Sequence, residues 1–292
     1  MAPRSVCALT SLQGTPCLFD LSSLTLAHDV RRGCHTLIGL ILEKHAPEQQ
    51  SSSAELLALL RKLALNGPIK AVGKGDTAVG RSIETALGIK INSSKKPDYK
   101  GIEIKSGRAP LTGRETRKNL FACVPDWNIS HLKSSRAILE FYGYRRGGNH
   151  KLYCTVTTRR ANSRGLLLCV DEAERLLNEV CRCKAAVQDV CSWRLEKLHD
   201  RLLEKHAETF WISATEERIR GGVWFRLKSV MHTSSPSTYQ FDRLLIDSGI
   251  TVDHLIKREP GSHVKEKGPL FKLEHHRIGE LFMGVPRHHS LL

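Results

Sequence analysis

The 292 residues carry 45 Lys and Arg against 30 Asp and Glu, a formal charge of +15, on an otherwise ordinary composition of 40% hydrophobic and 26% charged residues. That length holds one large domain or two smaller ones. Aromatic residues make up only 6%, too few for a base-stacking platform, and the longest apolar run, "TLIGLIL" at 36–42, is too short to span a bilayer.

The charge is unevenly placed. Residues 54–164 contain 22 Lys and Arg against 8 Asp and Glu, whereas the segments on either side are close to neutral. A polyanionic partner is therefore expected to meet the middle third, although a basic stretch also serves solubility alone. Nine cysteines show no regular framework and no paired C-x-x-C spacing, so they read as reduced thiols. The N-terminus lacks the apolar core of a signal peptide, and a soluble, cytoplasmic protein with no membrane partner is expected.

In chain order, "EKHAPEQQSSS" closes residues 1–53 as a polar linker. Leu56, Leu57, Leu60, Leu63 and Ala64 then share one helical face, which Asn66-Gly67 terminates before Pro68. A second helix follows Asp76-Thr77, with Ile83 and Leu87 apolar, Glu84 on it and Gly88 as its stop. Ile102 and Ile104 alternate with Glu103 and Lys105, which predicts a strand with the acid and the amine on one face. Strands are predicted in "NLFACVPDW", "KLYCTVTTR", "RGLLLCVD", "TFWISATEE" and "GGVWFRLKSVMH". "SSRAILEFYGY" suits a helix or a strand. Residues 171–206 are expected to be mostly helical, "YQFDRLLIDSG" a helix, and "KGPLFKLEHHRIGELFMG" a strand and then a short helix. The mixture predicts an α/β or α+β fold.

The chemistry concentrates in "SKKPDYKGIEIKSGR" at 94–108. Hydrolysis of a phosphodiester needs an attacking water, a stabiliser for the charge developing on phosphate and help for the leaving oxygen. A hydrated Mg2+ held by oxygen ligands supplies much of this. Asp98 and Glu103 are the candidate carboxylate ligands, and the carbonyl of Ile104 is a third oxygen. Lys105, two residues after Glu103, shares its strand face and is placed to reach the phosphate or the attacking water. A D-x4-[ED]-x-K pattern alone arises by chance in roughly one chain in ten. Its setting at the charge maximum, with Gly101 at a bend, adds the weight it lacks.

The segment "KGDTAVGRSIETALGIKINSSKKPDYKGIEIKS" resembles the MvaI/BcnI family of restriction endonucleases, relatives of the PD-(D/E)XK nucleases and of the MutH mismatch-repair nickase. "NLFACVPDW" with "FYGYRR", "KLYCTVTTR…SRGLLLCVD", "EKHAETFWI" and "KGPLFKL" extend the likeness over 54–283 in order. Residues 1–53 lie outside it, and 284–292 read as a C-terminal tail. The resemblance implies a mixed sheet flanked by helices, with two lobes around a DNA cleft. It makes Asp98, Glu103 and Lys105 the catalytic set and Glu84 a helical carboxylate assisting metal or water. It further implies a monomer cutting double-stranded DNA at a short, nearly symmetric GC-rich site of the CC-N-GG kind, beside a possible partner DNA methyltransferase.

Candidate DNA contacts are Arg114, Arg117 and Lys118 in the basic third, and Lys205 and His206 in "EKHAETFWI". Lys257, Arg258, His275, His276 and Arg277 are the late donors for base edges. For Glu84, Lys205, His206 and the late residues, a solvated surface role competes with the functional one. Two rival activities stay open: a MutH-like repair nickase that depends on partners, and a DNA-binding module that has kept the fold without catalysis.

Overall fold

The computed structural model describes residues 7–12, 15–20, 51–75, 77–89, 96–109, 117–183, 186–266 and 268–292. The chain divides into two compact units, Met1–Ser51 and Ser52–Leu292. In the first, β1 (Cys7–Leu12) and β2 (Thr15–Asp20) pair antiparallel, with Cys7 opposite Asp20.

The second unit opens with α1 (Ser52–Leu65), where Leu56, Leu60 and Ala64 recur every four residues and are buried. It stops at the expected Asn66-Gly67, with Gly67 in the left-handed region at φ +97°. Next come β3 (Ile69–Lys70), α2 (Ala78–Ala86), β4 (Ile102–Arg108) and β5 (Lys118–Ala122). The segment α3 (Ser135–Tyr142) is helical, capped by the Ser134 hydroxyl accepting from the Ala137 N–H at 3.2 Å. There follow β6 (Tyr144–Arg146), β7 (Asn149–Val156), β8 (Leu166–Asp171), β9 (Leu176–Cys183), β10 (Ala186–Arg194) and α4 (Leu195–His206). The chain continues through β11 (Glu208–Ile219), β12 (Gly222–Ser234), α5 (Thr238–Ile246), β13 (Ile250–Arg258) and β14 (Leu270–Leu273). A 3-10 turn (His275–Arg277), α6 (Ile278–Leu281) and β15 (Arg287–Ser290) complete it.

Among the described residues of this second unit the strands form three sheets. The first has the order β15-β12-β11-β4, with β3 also paired to β12; β4 runs parallel to β11 and is an edge strand, whereas β12 is antiparallel to β11. The second has the order β5-β14-β13-β7-β6, and the third β10-β9-β8. Residues 284–292, read in sequence as a tail, supply β15 to the first sheet and bury Leu291.

The first sheet separates two apolar clusters. On one face α1 and α2 pack Leu56, Leu60, Val79 and Ile83 against Ile102, Ile104, Phe210, Ile212 and Phe225. Trp211 belongs to the other cluster, together with Leu195, Leu198 and Leu202 of α4 and the apolar faces of the remaining sheets. Glu103 and Lys105, alternating with the two isoleucines, thus face the side occupied by α4.

The helical expectation for residues 171–206 holds only from Leu195. Ahead of it, strands β9 and β10 pair antiparallel instead. Two physical causes hide it. The inward face of β9 carries Leu177, Glu179 and Cys181, all fully buried, so a carboxylate interrupts the apolar alternation. In β10 a bulge between Asp189 and Cys191 buries the adjacent Val190 and Cys191, which breaks period two. Cys154, Cys169 and Cys191 are thiols, while Cys181 is disulfide-bonded, which corrects the reading of nine reduced cysteines. No helix among the described residues is long and apolar enough to cross a membrane.

Candidate active site

A tight turn sets Asp98 beside β4. Tyr99 and Ile102 exchange both backbone hydrogen bonds, the Tyr99 N–H to the Ile102 carbonyl at 2.9 Å and the Ile102 N–H to the Tyr99 carbonyl at 2.7 Å. The two residues between them take positive φ, Lys100 at 45° and Gly101 at 90°. A two-residue turn of this hand demands that at both positions, and glycine meets the demand without a Cβ clash. Lys100 is held by an ion pair to Glu55 at 2.6 Å, so α1 braces the turn.

The free edge of β4 then collects oxygens. The Ile104 N–H donates to Asp98 Oδ2 at 3.0 Å, so this backbone unit points away from β11. In a strand the carbonyl of a residue points to the same side as its own N–H. The Ile104 carbonyl therefore lies on the Asp98 side of the strand, as the expected third oxygen requires.

On the adjoining face the Glu103 carboxylate is only 2% exposed and lies between two ammonium groups. Lys105 Nζ stands 2.7 Å from Oε1 and Lys205 Nζ 2.9 Å from Oε2. The approach of Lys205 lacks hydrogen-bond angles, which leaves Oε2 buried without a hydrogen-bond donor. Burial raises the Glu103 pKa above the usual carboxylate value; Lys105 opposes that rise and Asp98 adds to it. Glu84, half-buried on α2, is raised first by burial and then by the negative charges of Asp98 and Glu103. The sequence-predicted residues Glu84, Asp98, Glu103, Ile104 and Lys105 thus converge in one electrostatic neighbourhood.

Whether a divalent cation fits can be judged from these donors. Among the described residues no group of three or more His, Cys, Asp and Glu side chains forms a metal-binding cluster. The donor set in question is different: two carboxylates, one of them with a buried oxygen short of a partner, and a backbone carbonyl. All are hard oxygen donors of the kind Mg2+ takes, leaving room for water. The residues fit.

A family model for the MvaI/BcnI restriction endonucleases matches residues 57–282. The chain belongs to that family. As a member it is a type II site-specific nuclease, in line with the resemblance read from the sequence. Among solved structures, a complex of the restriction endonuclease MvaI with cognate DNA superposes at a TM-score of 0.71. Identity is 18%, and the match covers 83% of this chain and 99% of that one. MvaI in the absence of DNA is 16% identical at a TM-score of 0.48, covering 83% and 98%. None of the curated proteins searched matches the chain.

The expected DNA contacts fare unequally in this MvaI/BcnI member. Arg114 lies outside the described residues. Arg117 turns inward, bonding Asp253 at 2.8 Å and reaching Thr155 and Thr251, and Lys272 shares the same carboxylate. Lys118 sits over β4: a Cβ added at Gly107 would meet its Nζ at 3.6 Å, and burial lowers its pKa. Lys257 pairs with Glu259 at 2.6 Å. Arg258 pairs with Glu140 at 3.1 Å and, with Arg145 and His150, lines a basic cleft of about 220 Å³. His275 is half-buried, and His276 is exposed 3.6 Å from Glu274. Arg277 is a correction: Asp247 and Glu280 hold its guanidinium at 2.7 and 2.6 Å, which ties the 3-10 turn to the end of α5 rather than presenting it to bases.

His206 is the second correction. It is fully buried, with Nε2 donating to the Leu120 carbonyl at 2.9 Å, Nδ1 accepting from the Thr209 hydroxyl at 3.0 Å, and its ring stacked on Trp211. A side chain without exposed surface does not touch DNA. Its place was legible in the spacing, because Leu195, Leu198, Leu202 and His206 form one buried helical stripe. Burial, followed by the positive charge of Lys105, lowers its pKa to about 3. The unfolded chain therefore takes up that proton first. Stability from the neutral ring is complete above pH ~6.5 and is lost as pH falls toward 3, by up to about 1.4 kcal/mol per unit. Urea unfolding at pH 7, 6 and 5 is expected to give a shallower pH slope for His206→Gln than for wild type. Equal slopes would contradict this assignment.

Proposed function

We infer that this chain is a Mg2+-dependent endonuclease that cuts double-stranded DNA at a short pseudo-palindromic, GC-rich site. The reading includes action as a monomer beside a methyltransferase of the same specificity. The nuclease unit is taken as residues 54–283, with residues 1–53 outside it. One observation carries the reading: the Glu103 carboxylate, 2% exposed and with Oε2 short of a hydrogen-bond donor, shares one electrostatic neighbourhood with Asp98, which itself bonds the Ile104 N–H. The fold shared with MvaI bound to cognate DNA supports the choice of substrate.

Asp98, Glu103 and the Ile104 carbonyl would hold the cation, and Glu84 would accept from a water in the same field. When bound, a divalent cation supplies Lewis acidity toward phosphate and lowers the pKa of a coordinated water. Lys105, fixed by Glu103, offers its ammonium to a phosphate oxygen whose charge grows during hydrolysis. Basic residues around Lys118 and the Arg145–Arg258 cleft are positioned to hold the backbone by charge, a contribution that weakens with salt.

Plasmid incubated with the lone protein in Mg2+ is expected to yield discrete linear fragments, and none in EDTA. Sequenced ends sharing one motif would define the site. Nicked circles only would favour the repair-nickase reading, and salt-sensitive binding without strand breakage in any divalent metal would favour the non-catalytic module.

A further inference from the structure

The Lys205–Glu103 contact is unusual in its origin. Lys105 comes from the same strand as Glu103, whereas Lys205 reaches across from the last turn of α4, a different element a hundred residues later. Its side chain is 13% exposed, and Nζ lies 2.9 Å from Glu103 Oε2. The same ammonium donates to the Lys96 carbonyl at 3.3 Å, on the segment that leads into Asp98. A single positive charge thus spans the two chain segments that carry the candidate ligands.

The end of α4 is built to keep it there. His206 anchors the helix terminus to Leu120 and Thr209, and Thr209 stands directly opposite Glu103 in the β4–β11 ladder. The stacked His206–Trp211 pair fixes the helix end from which the Lys205 side chain extends. Burying the Glu103 carboxylate beside the half-buried Asp98 and Glu84 requires a compensating positive charge. In the absence of a divalent ion, Lys105 and Lys205 are the cations in contact with Glu103. Lys205 is nevertheless the weaker partner of the two, since its 2.9 Å contact is longer than the 2.7 Å of Lys105 and its charge acts less strongly on Glu103.

We propose that Lys205 is a displaceable counter-ion. It occupies the cation's side of Glu103 in the metal-free enzyme, competes with the incoming divalent ion for Oε2, and is released toward the DNA phosphates when that ion binds. This rests on the metal-binding reading above. Lys205 is accordingly a positioning residue for Glu103 and the Lys96–Asp98 segment before loading, and a backbone contact afterwards.

The test uses the full-length chain without DNA and with Ca2+ as the probe, so that no turnover intervenes. Calorimetric titration of Lys205→Met is expected to show Ca2+ binding tightened by about fivefold, the factor that loss of one partly screened ion pair supplies. Lys205→Arg, which restores a cation, should return affinity toward wild type. Unchanged or weaker binding by the Met variant overturns the proposal. A second measurement avoids dependence on variant folding. Lysine acylation of the wild-type chain, mapped by mass spectrometry, should rise at Lys205 when Ca2+ is added, and no rise overturns the proposal. If wild type takes up no Ca2+ at all, the metal reading itself fails and this proposal falls with it. If Ca2+ binds while Lys205 responds in neither experiment, only the counter-ion role is lost.

Discussion

Lys105→Ala is expected to reduce the single-turnover cleavage rate by ~10²–10³-fold or more, while DNA affinity measured in Ca2+ stays within about twofold. Two losses act together. The ammonium that would meet the phosphate disappears, and Glu103 loses its 2.7 Å partner while remaining 2% exposed. Burial already pushes Glu103 toward its protonated form and Lys105 is the main opposing influence, so its removal also weakens the carboxylate as a ligand. Added Mg2+ should therefore recover only part of the rate. Lys105→Arg is not expected to rescue, since a planar guanidinium cannot occupy the space of a compact ammonium that is 20% exposed. Binding survives because Lys105 is one of many basic residues in the charge-rich third, and Glu103 already neutralises it. Cleavage within tenfold of wild type would take Lys105 out of the mechanism.

The parts of this molecule that were legible in its sequence share one property: their local pattern and their burial agree. The alternation through Ile102–Lys105 is read correctly because the isoleucines enter the core under α1 and α2 while Glu103 and Lys105 pair on the other face, so even the buried carboxylate keeps period two. The stop of α1 at Asn66-Gly67 and the helix in "YQFDRLLIDSG" follow for the same reason. Where tertiary structure buries a polar group, the pattern misleads. Glu179 on an inward strand face imitated a helical polar position, and the bulge in β10 erased period two. Strand β13 was not anticipated, because its buried residues include Thr251, Asp253 and His254, which read as polar. The same cause moved the candidate contacts. Arg117 and Arg277 are basic residues on a basic protein, but each faces carboxylates from distant segments, Asp253 in one case and Asp247 in the other. No local motif encodes such long-range pairing. Lys205 reads in sequence as a candidate DNA contact, and its partner in β4 emerges only from the crossing of α4 over that strand.

His254→Leu is expected to destabilise the fold by about 3–5 kcal/mol, because it strips the partner from a carboxylate with no exposed surface. Glu179 and His254 meet at 2.7 Å between β9 and β13, and both are fully buried. Burial resists charging His254, yet the Glu179 carboxylate and its hydrogen bond outweigh that resistance and raise the pKa above the ordinary imidazole value. The stabilisation carried by this raised pKa is complete below pH ~6.5 and is lost as pH climbs through the folded value. It therefore opposes the dependence expected of His206, and the two histidines should be separable by their variants. The pair is imperfectly satisfied, for Glu179 Oε1 and His254 Nδ1 each lack a hydrogen-bond partner. An ion pair with unmet polar atoms gives back little of its desolvation cost. The double variant Glu179→Leu/His254→Leu should accordingly recover most of the stability lost by the single one when both are unfolded in urea. If the double variant is instead as unstable as the single, the pair contributes through packing shape and its charge is incidental. The single-turnover rate at saturating DNA, assayed well below the unfolding transition, should be unaffected by either variant, because neither residue of the pair lies in the β4–α4 centre.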